Sequence, residues 1–297
     1  MSDSFSIDTR EQPPLDGKSS HSVARRAIGA LAEFVAQHPR LFVLTGAGIS
    51  TESGIPGYRN ADGQWQRSPP IFLQEFLASE AARRRYWARS MVGWRVVASA
   101  KPNAAHRALA RLESEQRIEL LLTQNVDGLH QNAGSRTVIE LHGNLAQVVC
   151  IDCKARHSRE MIQSALEALN SRRGDVLAVP APDGDAIVEQ DDLASFVVPE
   201  CSHCGGTLKP DVVFFGEGVP RERVNAASAA LAKADAMLVV GSSLAVYSGY
   251  RFCEWAFAAG KSIAAINLGR TRADHLLSLK IERSCAEALG SLLPALD

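Results

Sequence analysis

Four cysteines and one glycine-rich turn carry most of the chemical content of this chain. Cys150-Ile151-Asp152-Cys153 and Cys201-Ser202-His203-Cys204 form two CxxC knuckles. Each puts two thiolates on one tight turn. Two such turns complete a tetrahedral zinc site with no open position for water, the pattern of a structural ion. The other readings of the spacing are a redox pair and coincidence. A redox CxxC is expected at a helix start after a strand, whereas Gly205-Gly206 after the second knuckle suits a zinc ribbon. His203 and His157 lie close by and are not expected to be ligands. The second signal is an apolar run, Leu41 to Leu44, that ends in Thr45-Gly46-Ala47-Gly48. Glycines let a backbone turn sharply and approach a pyrophosphate, which the N–H groups then bind. The segment departs from the dehydrogenase G-x-G-x-x-G pattern, because Ile49-Ser50-Thr51 follow and the next glycine is Gly54. Alone, the pair fits a nucleotide site and a plain strand-end turn equally well. The polar continuation to Tyr58-Arg59 predicts a loop over a ligand.

The elements that must position these residues repeat one unit, a short apolar strand with polar or glycine residues at its carboxyl end. The unit occurs at 41–48, 120–127, 138–143, 237–243 and 263–269. In open parallel sheets ligands bind at the carboxyl ends of the strands, so these five ends point at one shared site. Helical spacing is expected over 22–38, 71–99 and 222–234, and Asn103 is placed to cap a helix running to Leu112. Val212 to Phe215 reads as a further strand. The strand–helix alternation predicts an α/β fold with a Rossmann-like doubly wound parallel sheet. A smaller zinc-ribbon and helical domain is expected around the cysteines. Cys253, among Phe252, Trp255 and Phe257, is expected in the core.

Bulk properties exclude some classes. The chain has 297 residues, 46% hydrophobic and 22% charged, with a net charge of −1. That gives no electrostatic case for nucleic acid or an anionic membrane. No apolar stretch reaches the length of a membrane span. The first twenty residues carry Asp3, Asp8, Glu11 and Asp16, unlike a secretory or mitochondrial leader. They read as a disordered tail, here taken as 1–21. A cytoplasmic setting follows, where cysteines serve as ligands or free thiols.

Taken in order, GAGISTESGIPGYR, KPNAAH, TQNVDGLH, ELHGN, the two CxxC pairs, LKPDVVFFGE, GSSLAVYSGY and INLG resemble the sirtuins, NAD-dependent protein deacylases. The resemblance covers roughly residues 22–297. It implies an NAD-binding part at about 22–60, 116–146 and 208–297, an inserted helical module at about 61–115 and a zinc module at about 147–207. RYWARSMVGW at 85–94, the APDGD of the inter-cysteine insert and VYSGYRF look closer to the class II branch. That branch includes the mitochondrial sirtuin described as lipoamidase, deacylase and ADP-ribosyltransferase.

The resemblance implies NAD and one structural zinc as cofactors, acyl-lysine proteins or peptides as partners, and release of nicotinamide and O-acyl-ADP-ribose. Its site residues carry over individually. His142 matches the general base, and an imidazole suits removal of a ribose proton. Asn125 and Asp127 match the residues that hold ribose and carboxamide, and Gln124 a ribose contact. Gly46, Ala47 and Gly48 match the phosphate cradle, with Glu52, Tyr58, Arg59 and Val126 in the same cofactor set. Gly57 stands where the family usually has Asp, and Tyr58 where it often has Phe. Gly241, Ser242 and Ser243 match phosphate and ribose contacts. Asn267, Leu268 and Gly269 match the adenosine ribose side, and Cys285 a backbone contact near the adenine. Phe215, Gly216 and Glu217 on one side and Val246 and Tyr247 on the other match the walls of an extended acyl-lysine peptide. Tyr86 and Arg89 have the Tyr-x-x-Arg spacing that reads acidic acyl groups in class III; a solvated arginine face is the other reading. Alternatives to deacylation are a mono-ADP-ribosyltransferase or lipoamidase using the same site, and a non-enzymatic NAD and zinc scaffold. The scaffold has no use for a base.

Overall fold

The computed structural model describes residues 17–57, 71–171, 179–181, 184–187 and 193–292. Tyr58 and Arg59 lie outside them, as do residues 1–16 of the expected tail. Five apolar runs become strands, four of them buried on both faces and the edge strand β3 half-buried. These are β1 (Leu41–Thr45), β2 (Ile118–Thr123), β3 (Val138–Glu140), β9 (Ala236–Val240) and β10 (Ser262–Ile266). With β11 (Leu279–Ile281) they form a six-stranded parallel sheet in the order β11-β10-β9-β1-β2-β3. The chain winds outward from β1 to β3, then returns to β1's other edge and winds outward through β9 to β11. The strand order therefore reverses between β1 and β9, the point where α/β sheets bind ligands.

Helices cover both faces. On one, α1 (Gly17–Gln37), α4 (Ala104–Ser114) and α9 (Cys285–Gly290) bury Leu31, Leu109 and Leu289 against Leu41, Val43 and Leu238. On the other, α7 (Arg221–Lys233) and α8 (Tyr247–Ala258) bury Leu231, Phe252 and Cys253 against Phe42, Leu44 and Val239. Alternate residues of β1 thus enter opposite clusters, as a two-sided sheet requires. Asn103 caps α4 in a capping box completed by His106.

A second sheet is antiparallel, β5-β4-β8, built from β4 (Gly143–Cys150), β5 (Arg156–Ser158) and β8 (Leu208–Val212). It packs with α2 (Leu73–Ala78), α3 (Glu80–Ser99) and α6 (Arg159–Leu169) around Phe76, Trp87, Val148, Leu166 and Phe214. The hairpin β6 (Val179–Ala181) and β7 (Asp185–Ile187) lies against α3. A β-carbon on Gly93 of α3 would strike the Gly184 carbonyl oxygen, so that glycine is what lets the hairpin dock. The fully buried Arg159 stacks its guanidinium on Trp87 and Trp94, at 5.6 and 5.0 Å, and donates to Gln163 Oε1.

Three expectations change. The helical stretch 71–99 is two helices, broken at Ser79, whose hydroxyl accepts from the Ala82 N–H to start α3. The strand expected at Val212–Phe215 runs instead over Leu208–Val212. Beyond it Val213 N–H bonds the His142 carbonyl at 2.7 Å, and Phe215 makes a lone bridge to Phe72. The segment is apolar because Phe214 packs on Phe76 and Tyr86, not because it continues the sheet. The first helix starts at Gly17, earlier than residue 22. Among the described residues no helix is long and apolar enough to cross a membrane.

Candidate functional site

At the switch point the carboxyl ends of β1 and β9 are zipped together by backbone. Gly48 N–H donates to the Gly241 carbonyl at 2.8 Å, and Gly46 N–H to that of Val240 at 3.1 Å. A β-carbon on Gly46 would sit 2.8 Å from Ser242 Cβ, and one on Gly48 2.8 Å from the Gly241 oxygen. Gly241 adopts φ +62, which favours glycine. These glycines let main chain, without side chains, form the floor of a cavity of about 620 Å³.

Gly46 to Gly48, Gln124 to Val126, His142, Gly241 to Ser243, Asn267, Leu268 and Cys285 all line that cavity. Four of the five strand ends marked in the sequence supply its base, and His142, just past β3, supplies the fifth. Gln124 donates to Ser242 Oγ at 2.7 Å, joining the ends of β2 and β9. Asn125 donates to the Gly46 carbonyl and to Ser50 Oγ, at 3.2 and 3.1 Å. Its own N–H bonds Thr123 Oγ1, which also accepts from Thr45. Because Thr45 donates there, it accepts from His130 Nε2 at 2.9 Å. His130 and His106 are buried rings 4.9 Å apart under this network, and burial drives both imidazoles down, His106 to about 4. His106 also closes the cap of α4, from the interior.

His142 sits across the cavity. Its Nδ1 faces the Gln124 carbonyl at 3.0 Å, so Nδ1 carries the proton and Nε2 keeps a lone pair. Nε2 accepts from Ser248 Oγ at 2.8 Å. Burial pushes the ring down to about 4, outweighing the carbonyl contact, which acts the other way. The imidazole is therefore neutral at pH 7, with its unprotonated nitrogen bonded to Ser248 at the cavity wall. Ser248 was missed in the sequence, as was Ser50; neither stands out until the chain is folded.

Other expected residues fall differently. Asp127 does not line the cavity. Its carboxylate is held behind the wall by Ser50 Oγ at 2.7 Å and Leu129 N–H at 2.9 Å, and burial pushes it upward. Glu52 is exposed and lines a neighbouring depression with Asn103 and Arg107. Gly269 is set back from the wall formed by Asn267 and Leu268. Phe215, Gly216, Glu217, Val246 and Tyr247 do line the cavity. The Glu217 carboxylate is occupied by Phe214 N–H and by the buried Lys209, at 2.8 and 3.0 Å. Tyr86 and Arg89 do not line it. Arg89 is engaged by both oxygens of Asp185 and by the Ala186 carbonyl, and Tyr86 packs edge-on against Phe76 and Trp87. Arg89 therefore holds the β6–β7 hairpin.

The four cysteine sulfurs lie within 4.8 Å of one another. Cys150 and Cys204 are 3.6 Å apart, Cys153 and Cys201 3.7 Å. A tetrahedron with zinc–sulfur bonds of about 2.3 Å has edges of about 3.75 Å, so the set fits one zinc. His157 Nε2 stands 3.5 Å from Cys201 Sγ, as an outer partner to the sulfur and not a fifth ligand.

A sequence profile of the Sir2 family matches residues 46–248. An NAD-dependent protein deacetylase of Bordetella pertussis is 58% identical over 90% of this chain and 97% of its own length. The chain belongs to the Sir2 family. Within that family, NAD-dependent protein deacetylase 2 of Bradyrhizobium diazoefficiens is 57% identical over 92% of this sirtuin and all of its own chain. Among solved structures, one described as "Sir2-p53 peptide-NAD+" matches with TM-score 0.70 and 30% identity, covering 90% of this sirtuin and 98% of that chain. Another, of Sir2Tm bound to a propionylated peptide, matches with TM-score 0.71 and 30% identity over the same shares.

Proposed function

We propose that this sirtuin is an NAD-dependent protein lysine deacylase, with acetyl-lysine among its substrates. The observation that carries the reading is His142. It is a neutral imidazole with a fixed tautomer and an unprotonated Nε2 that Ser248 Oγ bonds, in the same cavity as a glycine cradle that any β-carbon would fill. Binding alone does not need such a base. The zinc, held by Cys150, Cys153, Cys201 and Cys204, is structural because its four positions are all taken by protein.

When bound, NAD supplies the ribose carbon that accepts the acyl oxygen as nicotinamide leaves. The chain's residues do the rest. Gly46, Ala47, Gly48 and Gly241 let the backbone approach the phosphates closely, with the hydroxyls of Ser242 and Ser243 beside them, while the N–H groups of Gly46, Gly48 and Gly241 stay bonded to Val240, Gly241 and Ile266. Asn125, backed by the Ser50–Asp127 pair, orients ribose and carboxamide, with Gln124 and Val126 beside it. Asn267, Leu268, Gly269 and Cys285 bound the adenosine side. His142 Nε2 takes the ribose hydroxyl proton. Phe215 to Glu217 and Val246–Tyr247 flank an added peptide strand recognised through its backbone. Val246 and Tyr247 are apolar and exposed, which suits that docking.

The reading assigns NAD binding to about 22–60, 116–146 and 208–297, and the helical and zinc modules to the segments between. A class II assignment, with lipoamidase or ADP-ribosyltransferase activity, rests on α3, whose Arg89 and Gly93 receive the hairpin carrying the APDGD insert. Paired cysteine ligands suit a reducing compartment, the cytosol. Mass spectrometry of the protein with NAD and acetyl-, propionyl- and lipoyl-lysine peptides tests the reading. Deacylated peptide with matching O-acyl-ADP-ribose is expected. Nicotinamide release with ADP-ribose left on protein would replace it with the transferase reading.

A further inference from the structure

Four charged side chains line the cavity among the described residues, and two of them are paired. Glu217 is bound to Lys209, and Arg283 to Glu287 at 2.7 Å. Arg251 and Arg270 have no acidic partner among the described residues. Arg270 lies past the carboxyl end of β10, on the adenosine side. Arg251 lies on α8, one helical turn after Ser248, the residue that bonds His142. It therefore shares the face of α8 that meets the catalytic cavity.

Three features make Arg251 more than a solvated cation. Its Nε is buried with no hydrogen-bond partner, although every guanidinium N–H is an obligatory donor. Its guanidinium stands 5.2 Å from the centroid of Tyr247, which is half exposed on the peptide wall. Arg272 adds a second positive charge to the same patch, 5.7 Å from Tyr247 and 4.2 Å from Tyr250. Among the described residues neither guanidinium forms an ion pair, Glu254 one turn further along α8 included. We infer that Arg251 reads an acidic side chain flanking the acyl-lysine, so that the preferred substrates are acidic at that position. A carboxylate there would meet a guanidinium already stripped of part of its water and without a competing partner. The inference rests on the deacetylase reading and names its substrate class.

The test is a set of acetyl-lysine peptides carrying Asp, Ala or Lys at each neighbouring position. Peptide affinity by fluorescence anisotropy without NAD, and kcat/KM with NAD, are measured at low and high salt. The wild-type protein should prefer Asp over Lys at one flanking position by about fivefold, less at high salt. Arg251→Ala should level the series, and Arg251→Glu should reverse it. The wild-type series decides the question even if a variant does not fold. Turnover of all peptides without charge preference, or an Asp preference that survives in Arg251→Glu, overturns the inference alone. No binding and no turnover with any peptide overturns the deacetylase reading and the inference with it.

Discussion

The crevice between β1 and β9 and the cysteine cluster beyond β4 both hold polar atoms a few ångströms apart, with different resources. The crevice is closed by main chain on main chain, Gly48 to Gly241, and backed by two large apolar clusters. Its polar side chains bond one another across strand ends, Gln124 to Ser242 and Asn125 to Ser50. The knuckles have two of their four sulfurs exposed and rest on a smaller cluster. Main-chain bonds close each turn, such as Gly205 N–H to the Cys201 carbonyl at 2.8 Å. Four thiolates this close repel unless a cation lies between them. The crevice is thus preformed by packing, whereas the cysteine region depends on its ion.

Metal removal tests that contrast hardest. A strong chelator, or Cys201→Ser, should destabilise the protein by several kcal/mol and lower Tm by roughly 10 °C or more. Zinc by elemental analysis and a thermal melt check it, and an unchanged melt after complete zinc loss would erase the distinction. His142→Ala should do the reverse, costing about 100- to 10,000-fold in kcat while the melt stays near wild type. Turnover at the wild-type rate would remove the base assignment. The pH profile sharpens the same point. The neutral ring is the active form, and burial pushes it down to about 4. The acid limb of kcat/KM should therefore lie well below the ordinary histidine midpoint of about 6.5, with activity held as pH falls from 7 to 5. A limb centred near 6.5 would show His142 to be solvated. Gly48→Ala, which sets a methyl 2.8 Å from the Gly241 oxygen, should cost about 1–3 kcal/mol and weaken NAD binding in calorimetry. Unaltered NAD affinity would mean that the zipper is not the cradle. Arg89→Ala should cost least, about 1 kcal/mol, since its pair with Asp185 is partly exposed. It should slow acetyl and glutaryl substrates alike, and selective loss on glutaryl peptides would restore a role in acyl reading.

The sequence made the same contrast partly visible. β1, β2, β9 and β10 are short apolar runs because both faces are buried, and such runs are legible without a partner. β4 alternates buried and half-buried residues, and β11 is a three-residue edge, so neither stands out. Val213 to Phe215 is as apolar as a strand, yet serves the aromatic packing beside the cavity. Cysteine spacing announced the metal set because both knuckles are local. Gly46, Asn125 and Ser243 were legible as strand-end residues. Ser248 was not, because it meets His142 across 106 positions. The Arg89–Asp185 pair was not legible either, because the partners lie 96 positions apart.

The contact between His142 and the main chain of Gln124 bears on how this site can change over time. The group that sets the His142 tautomer is the carbonyl of Gln124, and a carbonyl is present whatever residue is encoded there. Point mutation can strip Gln124 of its amide and still leave the imidazole correctly protonated. Substrate preference is thus open to drift at the side chains around the cavity, while the protonation of the base is inherited with the fold itself.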